Sequence, residues 1–108
     1  MSHTTSHNDT YTSPLASRNA SEEMLRIWSP RHKFNTWRRI WLAVAEAQHE
    51  LGLPVSKEQV EELRAVVSRG ITDEEIHAAN QYERKLRHDV MAHVHALGDS
   101  CPKAKGII

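Results

Sequence analysis

A series of helix-start signals constrains the fold of this chain more than any other feature. The 56–59 segment SKEQ and the 72–75 segment TDEE match the capping box, in which a Ser or Thr side chain and a Glu or Gln side chain three residues later bind each other's backbone N–H groups. Ser29 followed by Pro30 is a further start, because proline suits the first helical position. We find no alternation of apolar and polar residues that would indicate strands. The sequence therefore predicts an all-α fold.

These signals and the apolar spacing between them predict about five helices. The shortest begins at Ser21 and is interrupted by the pair Ser29 and Pro30. The other four are expected from about Pro30 to Leu51, from Ser56 to near Gly70, from Thr72 to about Lys85 and from Asp89 to Leu97, with Gly98 closing the last.

The chain divides into a tail and one domain. Residues 1–13 are rich in Ser, Thr and His and nearly free of apolar side chains, so burial cannot offset their ordering entropy. We predict a disordered polar tail over 1–13 and a single helical domain over 14–108.

The long helix carries an apolar stripe at three-and-four spacing, which predicts its buried face. The stripe comprises Phe34, Trp37, Trp41, Val44, Ala45, Gln48 and Leu51. Arg38, Arg39, Glu46 and Glu50 lie off it, and we expect them on a solvated or partner-facing side.

Charge and cysteine content limit the partners. Lys and Arg number 14 and Asp and Glu number 14, so no global field draws the chain to nucleic acid or membrane. Cys101 is the only cysteine, which excludes an internal disulfide and suits a reducing compartment. No secretory signal or transmembrane stretch is visible. We predict a cytoplasmic protein with no nucleic-acid or membrane partner.

The most unusual local composition is the 84–89 segment RKLRHD, in which four of six residues can be cationic. If Asp89 begins a helix, the N–H groups of its first turn lie beside Arg87 and His88, and the segment is a candidate site for phosphate or carboxylate. The alternative is that the cations are solvated and Asp89 is only an N-cap. Spacing alone favours the alternative.

Three histidines invite a metal hypothesis, which helix geometry does not support. His88 and His95 share a face of one helix but lie about 10 Å apart along its axis, and His93 points elsewhere. We predict no metal site.

Basic residues alternate with aromatic ones between residues 26 and 39, a composition typical of nucleic-acid binding. Phe34 and Trp37, however, fall on the predicted buried stripe, and a helix cannot bury these rings and also stack bases on them. Cys101 has no base at catalytic spacing, and we do not predict it as a nucleophile.

Seven segments resemble one enzyme family in order and spacing. They are SPLASR at 13–18, FNTWR at 34–38, WL at 41–42, AEA at 45–47, LGLP at 51–54, LRHDVMAHVH at 86–95 and CPKA at 101–104. Over residues 11–108 the chain resembles the N-terminal segment of eukaryotic-type adenylosuccinate lyase, of the fumarase and aspartase superfamily.

The resemblance implies a function and a set of binding residues. Members of that family are cytoplasmic helical homotetramers that eliminate fumarate from adenylosuccinate and from succinylaminoimidazole-carboxamide ribotide in purine (AMP) biosynthesis, with no metal or organic cofactor. By the family pattern, the nucleotide substrate is bound by Arg18, Asn19, Arg87, His88 and Asp89. This implication makes the anion-site interpretation of the 84–89 segment the favoured one.

The chain departs from the family pattern at three places. Asn19 stands where the family usually has Tyr, and Lys105 where it has a small residue. The chain also ends before the family's His-Leu-Gly-Ala-Thr-Ser stretch, its catalytic histidine, its mobile serine loop and its central bundle of long helices. We therefore expect no catalytic residue within the 108 residues and no activity from the isolated chain. The alternative function is a non-catalytic helical protein that binds a full-length lyase or another helical partner.

Overall fold

Helices account for nearly all regular structure in the computed structural model, which describes residues 6–108. Over these residues the all-α prediction is confirmed. The helices are α1 (Pro14–Asn19), α2 (Glu22–Ile27), α3 (Pro30–Glu50), α4 (Lys57–Arg69), α5 (Asp73–Leu86) and α6 (Asp89–Ser100), with short 3-10 helices at His7–Asp9 and Lys105–Ile107. No helix within this part of the chain is long and apolar enough to cross a membrane.

A side chain caps the start of each α-helix, which explains why the sequence located four helices well. The caps are Ser13, Ser21, Ser29, Ser56, Thr72 and His88. Both predicted capping boxes are present, since Gln59 and Glu75 each bind the backbone N–H of the residue that caps their helix.

Two helices differ from the sequence-based expectation. Helix α1 was not predicted, although Ser13 caps it and Pro14 occupies its first turn. Helix α6 does not end at Gly98 but continues to Ser100. Gly98 is a packing residue, because a Cβ atom there would lie 3.0 Å from Cγ of Lys105.

Two apolar clusters form the core. The larger joins α3, α4 and the end of α6 around Ala45, Leu63, Leu97 and other buried residues. The smaller contains Phe34, Ile71 and Ile76, with Trp37 packed against them. Helices α5 and α6 pack closely as a hairpin joined by two residues, which makes their junction a sharp corner.

The predicted buried stripe of α3 is wrong at several positions. Val44 and Leu51 are 50% and 79% exposed, whereas Arg38, expected off the stripe, is 1% exposed. The core lies on the side of Phe34 and Ala45. The apolar residues of α3 therefore cover two faces, and only one of them is buried in this chain.

The short 3-10 helix at His7–Asp9, which Ser6 caps, contacts α3 and α5. Asp9 pairs with Arg31, and the side chains of Ser6 and Asn8 donate hydrogen bonds to Asp73. Composition alone predicted disorder for 1–13, of which residues 1–5 lie outside the described part of the chain.

Candidate functional site

The corner between α5 and α6 brings together three of the five predicted binding residues. Arg87 ends α5, His88 caps α6 and Asp89 is the first residue of α6. All three are exposed. The three residues are therefore adjacent, exposed to solvent and located at the start of α6.

Arg87 adopts a left-handed backbone conformation, with φ 55° and ψ 35°. Within residues 6–108 it is the one residue other than glycine with a positive φ. Its N–H donates to the carbonyl oxygen of Glu83 over 2.8 Å, which closes α5. Glycine commonly fills this position, because a Cβ atom makes the conformation costly by about 1 kcal/mol. Backbone strain of this kind clusters at functional sites, so the conformation of Arg87 is compatible with a binding role for the corner.

His88 holds the start of α6 in place. Its Nδ1 atom accepts a hydrogen bond from the backbone N–H of Met91 over 3.2 Å. An accepting Nδ1 requires the neutral tautomer with hydrogen on Nε2. The exposed imidazole can therefore cap the helix through one nitrogen and donate to a ligand through the other.

Asp89 does not cap the helix, so that part of the sequence interpretation is wrong. Its Oδ1 atom accepts from the N–H of Val90 over 2.8 Å, and the structure contains no hydrogen bond between Asp89 and His88 within residues 6–108. The carboxylate lies in the first turn of α6, where it complements the positive end of the helix dipole.

Charge at the corner is mixed but mainly positive. Arg84 and Lys85 lie in the last turn of α5, and Arg87 follows directly. The N–H groups of Val90 and Met91 in the first turn of α6 already bind Asp89 and His88, so the corner offers its cationic side chains as donors. Guanidinium groups are donors that phosphate and carboxylate ligands use in proteins.

Arg18 and Asn19, the other two predicted binding residues, lie in the last turn of α1 and are exposed. Three of the five predicted binding residues therefore share the α5–α6 corner, and the other two lie next to each other on α1.

The other two histidines of α6, His93 and His95, each stack on an aromatic side chain. His93 is 4% exposed, and its ring stacks on Phe34 with 3.8 Å between centroids. Burial and the nearby Arg38 and Lys33 lower the pKa of His93 to about 4. His95 instead stacks on Tyr82. No group of three metal-binding side chains occurs in the described part of the chain.

Cys101 is fully buried, and burial, with a contribution from Glu62, raises the pKa of its thiol to about 11. A buried protonated thiol is a poor nucleophile. A buried neutral imidazole such as His93 likewise has no access to a bound substrate. Neither group supplies the chemistry of a catalytic site.

Sequence reasoning missed a polar network that joins the middle of α3 to the end of α4, the start of α5 and the end of α6. Glu75 accepts from Arg38 over 2.8 Å, from Arg69 over 2.7 Å and from Ser100 over 3.0 Å. Burial would raise the pKa of Glu75, but the hydrogen bonds from Arg69 and Arg38 outweigh it and hold the pKa at about 2. Arg38 and Ser100 lie 37 and 25 positions from Glu75, so no local pattern predicts their contact with it.

The fold and the candidate site together define an all-α domain with an exposed basic corner suited to anionic ligands. No protein-family model matches the chain. The sequence is 52% identical to adenylosuccinate lyase of Saccharomyces cerevisiae over 101 residues, which are 93% of this chain and 20% of that protein. It is 43% identical to adenylosuccinate lyase of Schizosaccharomyces pombe over 99 residues, 91% of this chain and 20% of that protein.

A more distant relative extends the match beyond eukaryotes. Adenylosuccinate lyase of Methanocaldococcus jannaschii is 31% identical over 88 residues, which are 82% of this chain and 18% of that protein. The resemblance predicted from the sequence is therefore confirmed, and the chain is a relative of the adenylosuccinate lyases. It spans about a fifth of the length of the relatives it matches.

Proposed function

We propose that this chain supplies the N-terminal, substrate-binding part of an adenylosuccinate lyase. The proposed enzyme is a cytoplasmic homotetramer that releases fumarate from adenylosuccinate and from succinylaminoimidazole-carboxamide ribotide in AMP biosynthesis. The observation that carries the proposal is the 52% identity to the Saccharomyces cerevisiae enzyme over 93% of this chain. The alternative of a non-catalytic interaction protein is not favoured, because the relatives reported above all carry the name of the enzyme.

The chemistry of the exposed corner agrees with such a substrate. Adenylosuccinate carries a phosphate and two succinyl carboxylates, which guanidinium groups bind through paired hydrogen bonds. Arg87 offers five donors at the corner, and the tautomer of His88 offers an N–H donor beside it. We assign substrate contacts to Arg18, Asn19, Arg87, His88 and Asp89, with Asp89 holding the first turn of α6 through Val90.

Catalysis requires more than these residues provide. A β-elimination needs a base for the carbon-bound proton, an acid for the leaving nitrogen and stabilisation of the carbanion-like intermediate. His93 and Cys101 are buried, and the corner residues are open to solvent. We therefore propose that other parts of a lyase polypeptide complete the site and supply the catalytic groups, and that the isolated chain is inactive.

The test is a chimera in which this chain replaces the matched segment of the Saccharomyces cerevisiae lyase. We expect the purified chimera to release fumarate from adenylosuccinate in an ultraviolet assay, while the isolated 108-residue chain does not. Arg87→Ala should raise KM for adenylosuccinate by tenfold or more, about the value of one charged hydrogen bond.

The matched control is Arg64→Ala, which removes an exposed arginine of α4 that lies outside both the basic corner and the predicted binding set. Its kinetic constants should stay within about twofold of those of the unsubstituted chimera. A folded chimera without activity contradicts the proposed function. Equal effects of the two substitutions contradict the assignment of Arg87.

A further inference from the structure

Helix α3 carries an apolar face that no other element covers within residues 6–108. Ile40, Val44 and Leu51 on this face are 55%, 50% and 79% exposed. Ala43 and Ala47 lie between them and are also exposed. The spacing of 3 or 4 residues places all five on one side of the helix, turned away from the core-facing Ala45. We call these five residues the α3 stripe.

The α3 stripe is more than scattered surface hydrophobics. It runs about 16 Å along the helix, and no charged side chain interrupts it. The nearest charges, Arg39, Glu46 and Glu50, stand beside the stripe and not on it. A continuous apolar strip bordered by charged residues is typical of a surface that another protein element covers.

The length of the relatives indicates what covers this surface. The match takes in 93% of this chain but only 20% of the Saccharomyces cerevisiae lyase. About four fifths of such a polypeptide therefore has no counterpart here. Because the described elements leave the stripe uncovered, the covering element is to be sought in that unmatched part.

We propose that the α3 stripe docks against an apolar helix face in the unmatched part of an adenylosuccinate lyase polypeptide. The inference rests on the proposed function, and it adds the surface through which this domain joins the rest of the enzyme. Ala43 and Ala47 let a facing helix approach closely, while Ile40, Val44 and Leu51 supply the apolar contact. The centre of the α3 stripe carries no charge, so it suits an apolar helix face and offers no ion pair to nucleic acid or to a charged peptide.

The test compares one substitution at two exposed alanines. Ala47→Glu puts a charge on the α3 stripe, and Ala65→Glu puts the same charge on an exposed position of α4. Each variant is made in the isolated chain and in the chimera with the Saccharomyces cerevisiae lyase, and Tm is measured for all four proteins. In the isolated chain both substitutions should shift Tm by no more than about 3 °C, as exposed substitutions do.

In the chimera the two substitutions should separate. Ala47→Glu is expected to lower Tm by about 5 °C or more, because it buries an unpaired charge in the docking surface, whereas Ala65→Glu should shift Tm by no more than about 2 °C. Val44→Glu, at a second stripe position, should behave like Ala47→Glu. Equal and small shifts for Ala47→Glu and Ala65→Glu in the chimera overturn the inference.

Two further outcomes are informative. If the isolated chain forms a dimer that Val44→Glu dissociates, the stripe belongs to a contact between copies of this chain, and the inference is overturned. A folded but inactive chimera that Ala47→Glu still destabilises selectively removes the proposed function and leaves the docking surface standing.

Discussion

Arg38 donates a hydrogen bond from Nη2 to Oε2 of Glu75 over 2.8 Å, and its side chain is 1% exposed. Burial costs a guanidinium its hydration, and because Nε and Nη1 of Arg38 have no hydrogen-bond partner within residues 6–108, the compensation comes from one acid. Glu75 supplies that acid while it also closes the capping box of α5 through Thr72. One carboxylate therefore stabilises both a helix start and the contact between α3 and α5.

Removing the acid should be strongly destabilising. Glu75→Ala leaves the Arg38 charge buried without a partner, and we expect the free energy of unfolding to fall by about 3 kcal/mol or more. The measurement is urea unfolding of the 108-residue chain followed by circular dichroism.

Glu46→Ala is the matched control, because it breaks the exposed pair with Arg64. Its cost should be below about 1 kcal/mol. If both variants lost the same free energy of unfolding, the pair of Arg38 and Glu75 would stabilise the chain no more than an exposed ion pair does.

The pH dependence of stability should reveal the buried imidazole. The folded-state pKa of His93 is about 4, below the ordinary value of 6.5, so the unfolded chain binds this proton more readily. Stability from the neutral ring is complete above pH 6.5 and falls as the pH drops toward 4. Glu75, with a pKa of about 2 against an ordinary 4.5, adds a further loss only below pH 4.5.

A substitution isolates the His93 contribution. Between pH 6.5 and pH 4.5, the free energy of unfolding of the chain should fall, and His93→Gln should flatten that slope because glutamine does not titrate. Urea midpoints at three pH values within the window measure it. His77→Gln, at an exposed histidine of α5, should leave the slope unchanged. An unchanged slope in His93→Gln would show that the ring is not buried in its neutral form.

The helix boundaries were predictable because their signals are local. Ser29, Ser56 and Thr72 each announce a helix within four residues, and the structure places helix starts directly after all three. The buried face of α3, in contrast, depends on residues distant in the sequence. Arg38 is buried and Val44 is exposed, the reverse of the expectation. Burial of Arg38 is possible because Glu75, which lies 37 positions later in the sequence, is its partner.

The candidate site shows the same division. Composition singled out the 84–89 segment, and the family resemblance named its members. The backbone conformation of Arg87 and the cap at His88 depend on how tightly α5 and α6 are joined, which residue types alone do not reveal. Histidine is not among the preferred N-cap residues, so the sequence predicted the start of α6 at Asp89 without identifying His88 as its cap.

The strain at Arg87 predicts opposite effects on stability and on binding. Arg87→Gly relieves the left-handed conformation, and we expect the free energy of unfolding to rise by a few tenths to about 1 kcal/mol. In the chimera the same change removes the guanidinium, so KM for adenylosuccinate should increase. Urea unfolding and initial-rate kinetics measure the two effects.

Arg84→Gly provides the contrast, since Arg84 lies within α5. Glycine inside a helix should cost about 1 kcal/mol. If Arg87→Gly were as destabilising as Arg84→Gly, the backbone at Arg87 would not be strained.

His88 has two separable roles, and the side chain of asparagine distinguishes them. Its Nδ1 atom caps α6 through Met91, while the other ring nitrogen faces outward as a donor for substrate in the proposed function. His88→Ala removes both roles and should cost about 1 kcal/mol of unfolding free energy. His88→Asn keeps a strong cap, so its stability should equal or exceed that of the unsubstituted chain, yet the chimera that carries it should lose fumarate release as severely as His88→Ala. If activity instead recovered together with stability in His88→Asn, His88 would act only by holding the helix start, and the substrate contacts would fall to the other four assigned residues.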